Sequence, residues 1–136
     1  MTNITVLETK ISHVQKYLTL VAKYNDLKLE EIVSSTMMCS AFERQLQLLF
    51  QSVIDLAEIV IAFRNLRKPA TYKEFFDVLQ ENSVIDSGLA AELKLMVGQR
   101  NIIVHEYEGL NYEMLYLTVS EKLPVIEGFV EAVKKV

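Results

Sequence analysis

Along most of the chain, apolar residues recur at intervals of three and four, the spacing that places side chains on one face of an α-helix. The first row begins at Ile4 and ends at residues 24–26. The second row is longer, and Ser34 or Ser35 can cap the helix that it predicts. A parallel apolar row beside it predicts a central helix with several neighbours. The rows comprise Ile4, Leu7, Ile11, Val14, Leu18 and Val21, then Phe42, Leu46, Leu49, Val53, Leu56, Val60 and Phe63, with Phe50, Ile54, Ala57 and Ile61 alongside.

A short third helix is predicted after Pro69, because proline interrupts a helix that precedes it. Thr71 is its predicted N-cap, and Glu74 follows three residues later, which is the pattern of a capping box. Residues 82–83, an Asn-Ser pair, are predicted to end this helix.

Two further helices complete the pattern. Asp86 or Ser87 starts the fourth, and Gly109 is its predicted C′ residue. Asn111 is the predicted cap of the fifth. Pro124 should kink that helix rather than end it, because the apolar spacing continues beyond the proline.

No segment shows a sustained alternation of apolar and polar residues, and the chain has no internal repeat and no long linker. Short connections between helices favour antiparallel neighbours. The sequence therefore predicts an all-α fold, a single five-helix antiparallel bundle that forms one domain over residues 1–136.

The composition agrees with a globular protein, since 51% of the 136 residues are hydrophobic and 24% are charged. The longest uninterrupted apolar run, residues 59–63, is much shorter than a membrane span. The first residues lack the pattern of a secretory signal, and the single cysteine, Cys39, cannot form an internal disulfide. We therefore expect a cytoplasmic protein.

The net charge of −4 argues against a protein that coats nucleic acid with its whole surface. Binding of RNA would require a local basic patch. Arg64, Arg67, Lys68 and Lys73 around Pro69 are one candidate, and an ordinary solvated connection is the alternative.

Residues 100–107, with the sequence RNIIVHEY, carry the strongest chemical signal. Arg100 falls on the inward row of the predicted fourth helix, where an apolar residue is expected. A permanent charge in that place is costly unless it is paired or lines a wet cleft, and a guanidinium can hold a phosphate with a planar set of donors. The structural alternative is an ion pair with Asp55 or Glu43 on the central helix.

His105 can move protons near neutral pH, but five residues along an ideal helix separate it from Arg100 by about 140°. Asn101 and His105 share a face, as do Arg100 and Tyr107. Either the helix deforms near His105, or two copies of the chain form a shared cleft, which we favour. The alternative is that His105 caps its own helix end, where unpaired carbonyls favour an imidazolium.

Other polar residues give weaker signals. Gln51 and Asp55, one turn apart on the central helix, are possible second-layer groups of the same cleft. The alternative is a solvated polar strip with Glu43, Gln47 and Glu58. One cysteine and two distant histidines predict no metal site.

The octet and the residues before it resemble the HEPN superfamily, whose mark is R-x4-6-H near the end of a helix in a small bundle. More narrowly, the chain looks like the HepT toxins, which carry R-x4-H-x-Y. The resemblance covers nearly the whole chain. It includes Tyr72-Lys73-Glu74-Phe75-Phe76, Leu79, Val84-Ile85, Leu89-Ala90, Leu93 and Met96, and the stretch 42–61 with Arg44, Gln47 and Asp55.

This resemblance implies a metal-independent endoribonuclease without a cofactor, the toxin of a type VII-like toxin–antitoxin pair, with its active cleft at a homodimer interface. The implied partner is a minimal nucleotidyltransferase antitoxin that uses ATP to transfer AMP onto the motif tyrosine and so silences the toxin. By position, Arg100 and His105 are the catalytic pair, Asn101 supports them and Tyr107 is the AMPylation site.

Two other functions stay open on the residues alone. The chain could be a non-catalytic helical dimer that binds and regulates a nucleotidyltransferase. It could also be a structural dimer in which Arg100 forms interface salt bridges.

Overall fold

The computed structural model describes residues 3–105 and 109–136, and all regular secondary structure in these ranges is helical. The prediction of an all-α bundle is confirmed. The helices are α1 (Ile4–Ala22), α2 (Leu29–Val33), α3 (Thr36–Phe63), α4 (Tyr72–Glu81), α5 (Ser87–His105) and α6 (Tyr112–Lys134), with a 3₁₀ turn at Lys23–Asp26.

The structure has one helix more than the five predicted, because the short α2 lies between the first two predicted helices. Its five residues include a single buried side chain, Ile32, so it is too short to produce a recognisable apolar row. The backbone N–H of Lys28 donates to the Glu31 carboxylate at 3.0 Å, and this bond secures the first turn.

Side chains cap the helices where the sequence indicated. Ser35, Thr71 and Asn111 accept hydrogen bonds from the backbone N–H groups three residues later, at 3.2, 3.2 and 3.0 Å. Asp86 does the same for Leu89 at 2.7 Å, which selects Asp86 over Ser87 as the cap of α5. Each helix start is therefore determined locally.

The predicted capping box at Thr71 is only half formed. The hydrogen bonds that the Glu74 carboxylate accepts come from the backbone N–H of Ala70 at 2.7 Å and from Arg67 at 2.8 Å, and Thr71 contributes least to its environment. The loop before α4 is thus tied to that helix by a side chain that the sequence pattern assigned to the cap.

Helix α3 is the core of the bundle and packs against α1, α2, α4 and α5. It is long and apolar enough to cross a membrane by length and composition, but 56% of its most apolar window is buried by the neighbouring helices. It is the central helix of the bundle. On the other side of the core, Phe76 of α4 meets Phe129 of α6 edge to face, with ring centroids 5.8 Å apart.

Helix α6 continues through Pro124, as the apolar spacing predicted. Gly109, just before α6, has a φ of +77°, the left-handed conformation that a C′ residue adopts. The residues between His105 and Gly109 lie outside the described ranges, so the end of the preceding helix at Gly109 stays a prediction.

Candidate active site

The guanidinium of Arg100 is the centre of the site, and it lies where α3, α4 and α5 meet. Its side chain is half-buried on the inward face of α5. Nη2 donates to Oε1 of Gln51 on α3 at 3.0 Å, and Nη1 donates to Oδ1 of Asn101 at 3.0 Å. Nε is buried and has no acceptor among the described residues.

Among the described residues, both hydrogen-bond partners of Arg100 are neutral amides, so the direct ion pair with Asp55 or Glu43 that the sequence left open does not form. Instead, Nε2 of Gln51 donates to Oδ1 of Asp55 at 2.9 Å, and Gln51 stands between the cation and the carboxylate. Glu43 accepts a bond from the hydroxyl of Tyr112 on α6. Among the described residues, Gln51 therefore separates the positive charge of Arg100 from the carboxylate of Asp55.

Gln51 and Asp55 thus lie beside Arg100, and their part in a cleft stays a prediction. The bond between them orients the amide of Gln51, because its nitrogen faces the carboxylate and its oxygen faces Arg100. This orientation presents an acceptor to the guanidinium.

The ring of Tyr72 covers the guanidinium from α4, with Cζ of Arg100 5.3 Å from the ring centroid. The next residue, Lys73, lies over α5, since a Cβ built on Gly98 would be 4.0 Å from its Nζ. The sequence reasoning did not assign Tyr72 or Lys73 to the site. Lys73 was considered only for the basic patch near Pro69, and both residues belong to the stretch that resembles the HepT toxins. Neither signal reveals that the start of α4 reaches Arg100.

His105 is exposed at the described end of α5, while Arg100 points inward. The helix runs without interruption to His105, so a deformation before that residue does not bring the two side chains together. Asn101 is one turn before His105 on the same face. Because Arg100 donates to Asn101, the guanidinium is held toward the face of the helix that carries His105.

An exposed apolar patch lies on the outer side of α5 and α6 beside His105. Leu95 is 59% exposed, Ile102 48%, and Met114 and Leu117 52% each. Ile102 is one turn before His105. Beneath the patch, Gln99 donates to Thr118 at 2.9 Å and joins the two helices. A patch of this kind marks an interaction surface.

The predicted basic patch around Pro69 is partly neutralised. Arg67 donates to Glu74 at 2.8 Å and to Glu81 at 2.7 and 3.0 Å. These bonds hold the pKa of both carboxyl groups below their usual range. Arg67 therefore connects the loop between α3 and α4 to α4, and two carboxylates compensate its charge. The basic patch stays a hypothesis, with Arg67 as its least available member.

Tyr107, the predicted modification site, lies outside the described residues. Its place follows from the sequence alone, two residues after the described end of α5. Within the described ranges, no group of three or more His, Cys, Asp and Glu side chains could hold a metal ion.

Comparison with known proteins identifies the family of this chain. The family model described as "Ribonuclease HepT-like" matches residues 14–133. This chain belongs to the HepT-like family. The match contains α3 to α5, all of α6 except its last residue, and every residue of the site described above.

Two curated relatives of the HepT-like family agree with this assignment. The "tRNA nuclease HepT" of Aphanizomenon flos-aquae is 29% identical over 88% of this chain and 83% of its own length. The "mRNA nuclease HepT" of Shewanella oneidensis is 34% identical over 65% of this chain and 67% of its own length.

A solved HepT-like fold is similar over the whole bundle. The tri-AMPylated HEPN toxin of Shewanella oneidensis in complex with an MNT antitoxin has a TM-score of 0.85 and 26% identity, over 96% of this chain and 98% of that one. The sequence resemblance to HEPN and HepT proteins is thus confirmed for family and fold.

We expect the contact between Arg100 and Gln51 to be measurable in unfolding experiments. We propose a double-mutant cycle of Arg100→Ala and Gln51→Ala. The double variant should lose about 1 kcal/mol less unfolding free energy than the sum of the two single losses, because each single variant removes the same hydrogen bond. Urea unfolding monitored by circular dichroism provides the four free energies.

A cycle of Gln51→Ala with Arg64→Ala is the matched control, since Arg64 is an exposed arginine at the end of α3. It should be additive to within about 0.5 kcal/mol. Additivity of the Arg100 cycle as well would show that the contact carries no energy in solution.

Proposed function

We propose that this HepT-like protein is a metal-independent endoribonuclease, the toxin of a toxin–antitoxin pair, and that it acts in the cytoplasm. The relatives named as tRNA and mRNA nucleases support RNA as the substrate. The observation that carries the proposal is the guanidinium of Arg100, whose hydrogen-bond partners among residues 3–105 and 109–136 are two amides. A cation that keeps its charge in a half-buried place attracts a phosphodiester.

The reaction is cleavage of an RNA phosphodiester by transesterification or hydrolysis. In the first case, the 2′-oxygen bonds to phosphorus and loses its proton to a base, and the bond to the 5′-oxygen breaks as that oxygen gains a proton from an acid. His105 supplies one of these roles and the partner subunit's copy of the same histidine the other. Arg100 stabilises the negative charge on the non-bridging oxygens.

Gln51 and Asp55 act as positioning residues for Arg100, and Asn101 supports the pair from α5. The amide of Gln51 restricts the rotation of the guanidinium without removing its charge. Asp55 fixes that amide through the bond to its nitrogen. A cleft of this type needs its donors in place before the substrate arrives, because reorganisation during the reaction would raise the barrier.

A homodimer assembles the cleft. Each chain is one domain, and the patch of Leu95, Ile102, Met114 and Leu117 is the surface through which two copies associate. Burial of these side chains supplies the driving force. Because His105 is one turn from Ile102, the association brings both copies of His105 to the two-fold axis.

A nucleotidyltransferase antitoxin silences the enzyme by transferring AMP from ATP to the hydroxyl of Tyr107. The hydroxyl oxygen bonds to the α-phosphorus of ATP, pyrophosphate leaves, and the phenolic proton is released. The tri-AMPylated relative in complex with its MNT antitoxin supports this regulation. Each AMP adds negative charge and bulk near Arg100, where it competes with the phosphate of the substrate.

We expect Arg100→Ala and His105→Ala each to reduce RNA cleavage by about a hundredfold or more, since one removes charge stabilisation and the other proton transfer. Both variants should stay folded and dimeric by circular dichroism and light scattering, and neither should arrest growth. The parent should cleave RNA equally well in the presence of EDTA.

Lys16→Ala and His13→Ala are matched controls, because they remove an exposed cation and an exposed histidine of α1. Both should cleave like the parent. Full toxicity of the Arg100 and His105 variants would instead favour a non-catalytic dimer that regulates the nucleotidyltransferase. Unfolding or dissociation of Arg100→Ala would favour a structural role.

Mixing the parent with an inactive variant tests whether the cleft is shared. Because the proposed cleft uses both copies of His105, a heterodimer of the parent and His105→Ala should be inactive. After equal amounts are exchanged by partial unfolding and refolding, random pairing leaves about a quarter of the dimers as parent homodimers, so cleavage should fall to about a quarter of that of the same total amount of parent protein. Cleavage at about half of the parent value would show that each subunit forms its own site.

Incubation with the cognate nucleotidyltransferase and ATP should increase the intact mass by whole AMP units and abolish cleavage. Tyr107→Phe should prevent both changes, because the acceptor hydroxyl is lost. Tyr72→Phe is the control, since Tyr72 is an exposed tyrosine beside Arg100, and it should still be modified. Mass addition to Tyr107→Phe would reject Tyr107 as the acceptor.

A further inference from the structure

A pocket of about 600 Å³ lies between α3 and the loop that leads into α4, and Tyr72, whose ring covers Arg100, forms part of its wall. This volume is within the range of small-molecule sites. Apolar walls and two charged groups line the pocket, which combines Ala62, Leu66, Tyr72 and Phe75 with the exposed side chains of Glu58 and Lys68.

Two features connect the pocket with the surroundings of Arg100. Tyr72 lines the pocket and also covers the guanidinium of Arg100. On α3, Gln51, Asp55 and Glu58 follow one another at intervals of four and three, so they lie on one face of the helix. The row that positions Arg100 therefore ends in the pocket.

The wall of the pocket is held in place before any ligand binds. Leu66 and Lys68 flank Arg67, which donates to the carboxylates of Glu74 and Glu81 on α4. Tyr72 and Phe75 meet edge to face with centroids 5.7 Å apart. A preformed pocket binds its ligand without the entropy loss of ordering a loop.

The charged groups of the pocket are available to a ligand. Neither the carboxylate of Glu58 nor the ammonium of Lys68 makes a hydrogen bond or ion pair within residues 3–105 and 109–136. An aromatic ring beside a single carboxylate and a single ammonium offers a flat apolar surface, acceptors and a donor. A nucleobase uses all three.

We propose that this pocket binds a guanine base of the RNA, in the nucleotide next to the phosphate held by Arg100. Of the four bases, only guanine has two adjacent N–H donors, N1–H and the N2 amino group, next to a carbonyl acceptor. Glu58 accepts from the two donors and Lys68 donates to O6. The inference rests on the proposed function only for the placement of the phosphate.

Two measurements test the guanine pocket separately from catalysis. Binding of the four nucleoside 5′-monophosphates to the His105→Ala variant by calorimetry needs no cleavage. GMP should bind about tenfold more tightly than AMP, CMP or UMP, as expected of a bidentate contact to a base. Sequencing of the cleavage sites that the parent produces in a random RNA pool should show guanine enriched at one position beside the cut.

Glu58→Gln is the decisive variant, because an amide cannot accept from both guanine donors but can pair with adenine. In both measurements the preference for guanine should decrease by about tenfold, and the preference for adenine should increase. Glu8→Gln is the matched control, an exposed glutamate on α1, and it should leave both preferences unchanged.

The possible outcomes separate this inference from the function. Guanine binding is rejected if the parent protein cleaves RNA without preferring GMP, or if Glu58→Gln keeps the preference for guanine. The proposed nuclease activity is unaffected by either result. If GMP binds preferentially and Glu58→Gln removes that preference, but the parent protein cleaves no RNA, guanine binding is supported and the proposed nuclease activity is rejected. Tighter binding of AMP than of GMP would also overturn the proposal.

Discussion

The structure depends on a positive charge placed on the inward face of a helix. Arg100 occupies a position in α5 that packing would assign to an apolar side chain, and such a charge requires polar partners. The bundle provides them as two amides and an aromatic ring, from Gln51, Asn101 and Tyr72. A carboxylate in direct contact would stabilise the cation more strongly but would also occupy it. Amides orient the guanidinium and leave its charge for a phosphate.

Helix α3 makes this arrangement possible because it carries two different faces. Its apolar faces form the core with α1, α4 and α5, and they make α3 as long and apolar as a membrane-spanning helix. Its remaining face carries Gln51, Asp55 and Glu58 toward the cleft and the neighbouring pocket. Core packing therefore determines where the polar row lies, and the polar row determines where the guanidinium is held.

The sequence by itself determined the helices, since apolar spacing and capping residues are local properties. Ser35, Thr71 and Asn111 cap the helices that the pattern predicts, and α6 passes through Pro124 as expected. The short α2 was missed because five residues carry no periodic signal. Arg100 was identified as exceptional for the same local reason, because it interrupts an apolar row. The motif RNIIVHEY then indicated the family, which the comparison confirms.

Only the tertiary structure decided what surrounds Arg100. Gln51 is 49 residues away in the sequence and Tyr72 begins a different helix, so no local pattern reveals that both reach the same guanidinium. For the same reason, the direct ion pair with Asp55 could not be distinguished from the bridge through Gln51. The sequence indicates Arg67 as a candidate for a basic patch, and only the packing of α4 shows that Glu74 and Glu81 accept its hydrogen bonds. Helix propensity and capping act over a few residues, whereas the partners of a charge are set by how the helices pack.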